Sequence, residues 1–429
     1  MKDEHHPGQT VTEPVAKTPL APLLPLFVTA GILLAGNGLQ GTLVALRGTS
    51  EGFSPVLIGI MGGGYFLGFL LACVYSPRMI ASVGHIRVFA ALAAVAAAGT
   101  ITLALVIQPM TWIAVRFAMG FCFAGLFTVM ESWLGASSHK ADRARVFGIY
   151  RLVDLGAVTG GQIMLPLVGT AGFEIFAITA ILFCLSLVPV ALSRGSNPQT
   201  EGDVPFDLKT MWLISPIACI GCITIGLTNS AFRTIGPIYA AEIGFDTQGV
   251  VLFIVAGIIG GAVLQYPFSW LSDLVDRRIA VIAATAGASL AGLYLTFLPE
   301  FNPLLAYLGA FIWGAFALPL YSLSAAHAND RAAPGQFVLI AAGLMFFFSL
   351  GAMVGPFASS LVLQTYGPRG FFAYMSLLHG SLILVTMVRM VQRPGKDDGR
   401  RTRMVPLLRT SPAIFRLVRS MTERDRGRK

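Results

Sequence analysis

Residues 269–278 read SWLSDLVDRR and place two aspartates and two arginines between two long uncharged runs. The preceding run, GVVLFIVAGIIGGAVLQYPF, spans 249–268, and the following run, IAVIAATAGASLAGLYLTFL, spans 279–298. A helix of about 20 apolar residues is long enough to cross a hydrocarbon core of ~30 Å. The two runs therefore predict a pair of transmembrane helices that are joined at one membrane face by a short charged loop.

The rest of the chain repeats this pattern. Of its 429 residues, 55% are hydrophobic and only 12% are charged, against about 25% charged residues in a soluble domain. Since a backbone in lipid must pair its N–H and C=O groups internally, long apolar runs are helices. We therefore predict an all-α polytopic membrane protein. Its twelve transmembrane helices lie near 20–46, 54–76, 87–107, 110–136, 146–169, 173–193, 211–237, 248–271, 279–298, 302–327, 337–363 and 370–391.

The positions of lysine and arginine predict the orientation of these spans, because such residues are retained on the cytoplasmic side. With the N-terminus inside, only Arg47 and Arg369 lie in outer loops, and three arginines lie within spans. The other 25 of the 30 lysines and arginines then face the cytoplasm. We predict a multi-pass protein of the cell membrane, the inner membrane in a Gram-negative cell, with both termini cytoplasmic.

Short matches at an offset of 191–198 residues predict two related halves. GAVTGG at 156–161 corresponds to GAMVGP at 351–356, and GFSP from Gly52 corresponds to GFDT from Gly244. A parallel repeat of this kind is a known transporter plan, in which substrate binds near the midplane between the halves. The predicted organisation is an N-terminal tail (1–19), a six-helix bundle (20–193), a cytoplasmic linker (194–210), a second six-helix bundle (211–391) and a basic cytoplasmic tail (392–429).

Over nearly its whole length the chain resembles the major facilitator superfamily. That family marks its second and eighth interhelical loops with a pattern like G-x-L-[AS]-D-x-x-G-[RK]-[RK]. SWLSDLVDRR has Ser269 and Asp276 where glycines are usual, and it fits the pattern at Leu271, Ser272, Asp273, Arg277 and Arg278.

The first-half counterpart of this loop is SPRMIASVGHIR, residues 76–87. It keeps Gly84 and Arg87 but has Ser82 in place of the acid. Span four carries a second family signature, Arg-x-x-x-Gly, at Arg116 and Gly120. The stretches MESWLGAS, FGIYRL and LPLYSLSAAHAND are most similar to the uncharacterised YcaD-like branch of the superfamily.

The charged loop suggests a gating role. Arg277 and Arg278 can meet lipid phosphate, and the Asp273 carboxylate can accept from N–H groups that open another helix. The resemblance implies that this loop latches the start of span five, near Arg143 and Arg145. The alternative is that the arginines only hold the loop inside. The predicted gating-loop residues are Arg87, Asp273, Arg277 and Arg278.

A charge within a span costs at least ~2.5 kcal/mol on insertion scales, so the charges within spans are candidates for function. Arg116 either serves the cavity or extends outward to lipid phosphate. In proton-coupled relatives its counterpart is thought to tune the proton affinity of a carboxylate. Glu131, Arg151 and Asp154 form either a charge network at the inner gate or a structural ion-pair triad. These four residues are the proton-coupling candidates.

Polar residues and glycines within the spans complete the predicted site. The resemblance implies that spans one, four, seven and ten line a central cavity. The substrate-cavity candidates are Asn37, Gln40, Gln162, Asn229 and Arg233. Small residues allow helices to approach closely, and the predicted helix-packing glycines are Gly120, Gly156, Gly160, Gly351 and Gly355.

The motifs that the sequence lacks narrow its function. Without a Gly-x-x-x-x-Gly-Lys-[Ser/Thr] loop, ATP hydrolysis by this chain is not expected and an ion gradient must supply energy. An intramembrane enzyme would need a His or carboxylate cluster with catalytic spacing, and no H-E-x-x-H is present, so we do not expect an enzyme. We predict a secondary active transporter of a small organic solute that works by alternating access, with proton coupling and with efflux favoured over uptake. The alternative is a non-transporting sensor or scaffold on the same fold.

The predicted partners are a small-molecule substrate, protons and membrane lipid. From Arg389 onward the tail holds 13 lysines and arginines against four acidic residues, and we expect it to meet anionic headgroups rather than nucleic acid. Cys219 and Cys222 form a CxxC, but no further Cys or His completes a metal site. We therefore expect no metal, no cofactor and a monomeric protein.

Overall fold

The computed structural model describes residues 19–138, 142–192, 207–298, 302–333 and 336–392. Within these ranges all regular structure is helical and no strand is present. The predicted N-terminal tail, most of the linker and the basic tail lie outside the described residues, apart from their boundary positions.

Six helices make up the first half, at positions close to the predicted spans. They are α1 (Leu24–Ser50), α2 (Pro55–Val83), α3 (His85–Leu105), α4 (Pro109–Ala136), α5 (Arg143–Val168) and α6 (Glu174–Ala191). Proline at the first helical position presets the backbone for a helix and lacks only an N–H that would be unpaired there. The Ser54 hydroxyl caps α2 by accepting from the backbone N–H of Leu57 at 3.3 Å.

The second half contains more breaks than the sequence predicts. Its helices are α7 (Leu208–Ile214), α8 (Pro216–Thr234), α9 (Gly236–Glu242), α10 (Thr247–Leu274), α11 (Arg277–Thr296), α12 (Pro303–Ala317), α13 (Leu320–Arg331) and α14 (Phe337–Gln392). Helices α7 and α8 meet at 108°, because Pro216 disfavours a helical residue before it. A milder break separates α12 from α13, because Leu318 and Pro319 both keep helical dihedrals and Pro319 only lacks the N–H that would continue the helical hydrogen bonds.

The boundary of the linker also needs correction. Helix α7 begins at Leu208, inside the segment 194–210 that the sequence assigns to the linker. The cause is an N-terminal cap, in which the Asp207 carboxylate accepts from the backbone N–H of Thr210 at 3.0 Å. Such caps satisfy an N–H group that a helix start leaves unpaired.

The number of membrane crossings follows from helix length. In the described part of the chain, nine helices are long and apolar enough to cross a membrane, or ten if α7 and α8 form one broken span. Helix α14 consists of two helical parts that meet at the non-helical Gly367 (φ 68°), and each part is long enough for one crossing. Helix α5 spans Arg143–Val168 and is less apolar only because it carries charged residues. With these, the fold has the twelve predicted spans.

The two halves repeat the same packing. In the first half, α1 packs against α5 and α6, α2 against α4, and α3 against α4 and α6. In the second half, α8 packs against α14, α10 against α12, and α11 against α12 and α14. Across the halves, α2 contacts α14 and α10 contacts α5. These two contacts correspond to each other, because α10 is the counterpart of α2 and the first part of α14 is the counterpart of α5. This symmetry places a cavity between the halves.

Candidate functional site

A cavity of about 230 Å³ lies between the two halves. Residues of α1, α2, α4 and α5 line one side, and residues of α8, α10, α13 and α14 line the other. Phenyl rings form much of the wall, while polar groups converge at a few points, as in most small-molecule sites. Of the predicted site residues, the cavity wall includes Asn37, Arg116, Arg151, Asp154, Gln162, Asn229 and Arg233.

Arg116 faces the protein interior and not lipid. Its side chain is buried, with 6% of its surface exposed. The guanidinium lies 4.5 Å from the centre of the Tyr65 ring, and its Nη1 donates to Oε1 of Gln40 at 3.3 Å. A cation over an aromatic face is attracted by the ring quadrupole. This geometry contradicts the interpretation in which Arg116 extends outward to lipid phosphate.

Gln40 hydrogen-bonds to Arg116 but does not line the cavity. Its predicted role as a substrate-cavity residue is therefore wrong. Its Nε2 donates to the hydroxyl of Thr100 at 3.1 Å and to the sulfur of Met119 at 3.4 Å. Only 1% of Gln40 is exposed. Because its amide N–H groups are fixed in this way, its carbonyl oxygen is oriented towards Arg116.

Arg151 and Asp154, one turn apart on α5, form an ion pair in the cavity wall. About half of the Arg151 side chain is exposed, whereas Asp154 is largely covered. Glu131 is fully buried in α4 and lies outside the cavity wall. The structure therefore brings two of the three predicted network residues to the cavity wall and leaves Glu131 outside it, while Tyr150 interacts electrostatically with all three.

The remaining polar candidates come from both halves. The Tyr65 hydroxyl donates to Oδ1 of Asn37 at 3.4 Å, and Nε2 of Gln162 donates to the backbone oxygen of Gly38 at 2.8 Å. From the second half, Asn229 and Arg233 on α8 face the same cavity. Four lining residues that the sequence analysis missed are Tyr65, Gln265, Tyr321 and Ser322.

Gln265 is a cavity-lining residue that the sequence could have indicated. It is an isolated amide in the apolar sequence of α10, and its Nε2 donates to the hydroxyl of Ser322 on α13 at 2.9 Å. A polar group within a span needs a partner or water. Sequence reasoning that weighed amides as heavily as charges would have selected Gln265.

The glycines show where the helices approach most closely. An added Cβ at Gly120 would lie 1.8 Å from the Tyr65 carbonyl oxygen, and one at Gly351 or Gly355 would lie 2.2 Å from a carbonyl oxygen of α8. At Gly156 and Gly160, however, nothing lies within 4 Å. The predicted packing role of those two glycines is therefore wrong. The close contact of α5 with α1 is made instead by Gly161, on another face of α5, against Ala35.

Comparison with known proteins agrees with this architecture. The family model of the Major Facilitator Superfamily matches residues 26–342 and 218–422. The chain belongs to this superfamily. It is 23% identical to the uncharacterised MFS-type transporter YcaD of Escherichia coli O6:K15:H31, over 86% of this chain and 96% of that protein. The predicted resemblance to the superfamily and to its YcaD-like branch is confirmed, and the chain is a membrane transporter.

Other relatives and solved structures give the same result. The uncharacterised MFS-type transporter Ent638_1421 of Enterobacter sp. strain 638 is 22% identical over 87% of this chain and 96% of its own length. The nucleoside transporter NupG superposes with a TM-score of 0.72 at 13% identity, covering 86% of this chain and 98% of NupG. A bacterial homologue of the lysosomal transporter Spinster, in an inward-facing and unoccupied conformation, gives 0.65 at 12% identity, covering 94% and 97%. These structures confirm the fold of a major facilitator.

The superfamily loop between α10 and α11 is held by buried ion pairs. Arg277 forms ion pairs with Asp330 at the end of α13 and with Asp273 at 3.3 Å, and it donates to the Ser272 hydroxyl at 2.9 Å. Only 3% of Arg277 and 4% of Arg278 are exposed. Both arginines are therefore turned towards protein carboxylates, and the suggestion from the sequence that they meet lipid phosphate is wrong.

Asp276 stands where the family usually has glycine. Its carboxylate caps α11 by accepting from the backbone N–H of Arg278 at 2.9 Å, and it binds the Arg278 guanidinium at 2.7 Å. Burial raises the pKa of Asp276, but the hydrogen bonds from Arg278 outweigh burial and hold that pKa below its ordinary value. Helix α10 contacts α5, but the partner that the structure gives Asp273 is Arg277, and the latch onto the start of α5 stays a prediction.

The corresponding loop between α2 and α3 is simpler. Gly84 (φ 88°) separates the two helices, and His85 begins α3. The Nε2 atom of His85 and the hydroxyl of Ser132 on α4 form a hydrogen bond of 2.9 Å. Arg87, the predicted gating residue, is exposed. His85, and not Arg87, therefore occupies the place of Arg277, because each is the first residue of its helix.

Proposed function

We propose that the chain is a secondary active transporter that moves a small organic solute by alternating access. The observation that carries this proposal is the cavity between two halves of equivalent packing. A site at the interface of two repeats can be exposed to either side when one half rocks against the other. The proposal keeps the predicted division into two bundles, 20–193 and 211–391, with the start of the second moved to Leu208, where α7 begins.

The contacts between the halves support a two-gate arrangement. At the end of the bundle where α2 begins, an added Cβ at Gly59, Gly62 or Gly63 would lie within 3 Å of α14 or α8 atoms. In the predicted orientation this end faces outward. The close packing of α2 on α14 would thus form the outer gate, and the contact of α5 with α10 would form the inner one.

We propose protons as the coupling ion, with Asp154 and Glu131 as the candidate carriers. Asp154 is the stronger of the two, since it is the carboxylate that lines the described cavity. Its ion pair with Arg151 provides a switch, because protonation of the carboxylate would release the arginine. The fully buried Glu131 would act more indirectly, through the packing of α4.

We further propose a monomer of the cell membrane with both termini cytoplasmic and a basic tail that contacts anionic lipid. We propose export as the direction of transport. The cavity holds more arginines than carboxylates, and an inside-negative potential drives negatively charged solutes outward at about 2.3 kcal/mol per charge per 100 mV. The distribution of lysine and arginine supports the orientation.

Flux in proteoliposomes with imposed pH gradients tests these proposals. We expect the wild-type protein to accumulate or release radiolabelled metabolites in response to the gradient. Asp154→Asn should retain solute exchange and lose proton-driven flux, whereas Glu131→Gln should act mainly on stability. A protein that binds solutes but gives no flux under any gradient would instead be a sensor or scaffold.

A further inference from the structure

The charges around the cavity do not balance. Arg116, Arg151 and Arg233 line it, and Asp154 is the acidic residue among the described lining residues. Asp154 is already paired with Arg151. Neither Arg116 nor Arg233 forms an ion pair with a carboxylate in the part of the chain that the structure describes. The cavity therefore carries an excess of about two positive charges.

Arg116 keeps unused capacity to donate. Its Nη1 binds Gln40 and its π face lies over Tyr65, but its Nε is buried without a hydrogen-bond partner. A buried N–H of a charged group is costly to leave unpaired. An acceptor that enters the cavity would remove that cost. The guanidinium, with its planar fork of donors, matches a carboxylate or a phosphate.

Arg233 faces the same space from the other half. It lies near the end of α8 and is exposed, so its guanidinium is free to reorient within the cavity. Tyr65, whose ring lies against the Arg116 guanidinium, lines the same cavity as Arg233. The two arginines thus face one space from α4 and α8, one from each half.

We propose that this cavity binds a small organic dianion, which Arg116 holds from the first half and Arg233 from the second. This inference rests on the proposed transport function and specifies its substrate class. Two negative charges would neutralise the excess of the cavity. A volume of about 230 Å³ lies below the usual 300–1,000 Å³ of drug-sized sites and suits a compact metabolite. By bridging the halves, the ligand would favour their closure around it.

Two ligand sets and their uncharged analogues test the proposal by binding to the full-length protein in lipid nanodiscs. One set contains dicarboxylates of three to five carbons, with the matching diamides. The other contains phosphate monoesters, such as glycerol 3-phosphate, with the matching alcohols. We expect members of one set to raise the melting temperature at concentrations where the uncharged analogues do not. The set that binds distinguishes a dicarboxylate from a phosphate site.

Substitutions then assign the two arginines. Arg233→Gln should weaken binding of the dianion about tenfold or more, since hydrogen bonds to charged groups are the strong ones. Arg116→Lys keeps the charge but loses the fork, and it should also weaken binding. Arg369→Gln removes the same charge from an exposed position outside the cavity and should leave affinity unchanged.

The results separate the dianion proposal from the transport proposal. Binding of neither set, equal binding of the uncharged analogues, or full affinity in Arg233→Gln would overturn the dianion site. Proteoliposome flux of uncharged solutes alone would overturn it too, while leaving the transport proposal intact. Dianion binding that depends on Arg116 and Arg233 without any flux would keep the site and reject transport.

Discussion

The α2–α3 junction and the α10–α11 junction occupy corresponding places in the two halves, and each is secured by the first residue of its second helix. In the first half, the Nε2 atom of His85 and the Ser132 hydroxyl form a hydrogen bond of 2.9 Å. In the second, Arg277 forms ion pairs with Asp330 and Asp273. Each contact joins the start of one helix to the end of a neighbouring span, but the first is a single hydrogen bond and the second is a set of ion pairs.

This difference teaches how a repeat can diverge without losing its fold. A neutral hydrogen bond contributes about 1 kcal/mol, whereas a buried charge depends strongly on its partners. The second junction therefore ties α10, α11 and α13 into one unit, and the first junction leaves α2 and α3 less constrained. We expect the second half to move as the more rigid body.

Breaking the ion-pair cluster should have the largest effect. Arg277→Gln removes the guanidinium that binds Asp330, Asp273 and Ser272, and we expect the free energy of unfolding to fall by about 3 kcal/mol. Equilibrium unfolding in mixed micelles measures the loss. The matched control is Arg47→Gln, which breaks a peripheral pair with Glu51 and should cost less than about 1 kcal/mol. Similar losses for both variants would contradict the comparison.

Removing the α11 cap should have an intermediate effect. Asp276→Ala leaves the first turn of α11 without its acceptor, which costs about 1–2 kcal/mol at pH 7. The pKa of Asp276 is held below its ordinary value in the folded protein, so its contribution is present above pH ~4 and is lost as the pH falls through the folded-state pKa. Melting temperatures of wild type and variant should therefore converge at acidic pH. A difference that persists there would assign the effect to packing and not to the charge.

The hydrogen bond between His85 and Ser132 in the first half should be weaker than the ion pairs of Arg277. His85→Leu fills a similar volume and removes the hydrogen bond to Ser132, so we expect a loss of about 1 kcal/mol. A double-mutant cycle with Ser132→Ala isolates the pair. Its coupling energy should be smaller than that of the corresponding cycle with Arg277→Gln and Asp330→Asn. Equal coupling energies would mean that the two junctions differ in composition but not in strength.

Sequence reasoning recovers the architecture because membrane helices are specified by local composition. Runs of about 20 apolar residues and their offset near 195 residues predict twelve spans in two halves, and the structure differs mainly at prolines. The breaks before Pro216 and at Pro319 depend on local backbone geometry. A hydropathy pattern averages over such breaks and cannot show them.

The site is predicted less completely, since its geometry depends on rotation about each helix axis. Arg116, Arg151, Asp154 and Arg233 reach the cavity because a charge in a span must face the protein interior or water. Gln40 is also a polar residue within an apolar span, but it lies outside the cavity wall. Likewise, the Asp330 partner of Arg277 lies 53 residues away, and only packing shows that the two meet.

The smallest expected effect is at Arg87, where the sequence pattern and the structure differ most. Its side chain is exposed in the first turn of α3, where a positive charge opposes the helix dipole. Arg87→Gln should therefore change the free energy of unfolding by less than about 0.5 kcal/mol, the usual range for exposed positions. The measurement is the same micelle titration, with Arg277→Gln as the contrasting variant. A loss above 1 kcal/mol would mean that Arg87 has a partner in another conformation of the transport cycle, as a gating residue requires.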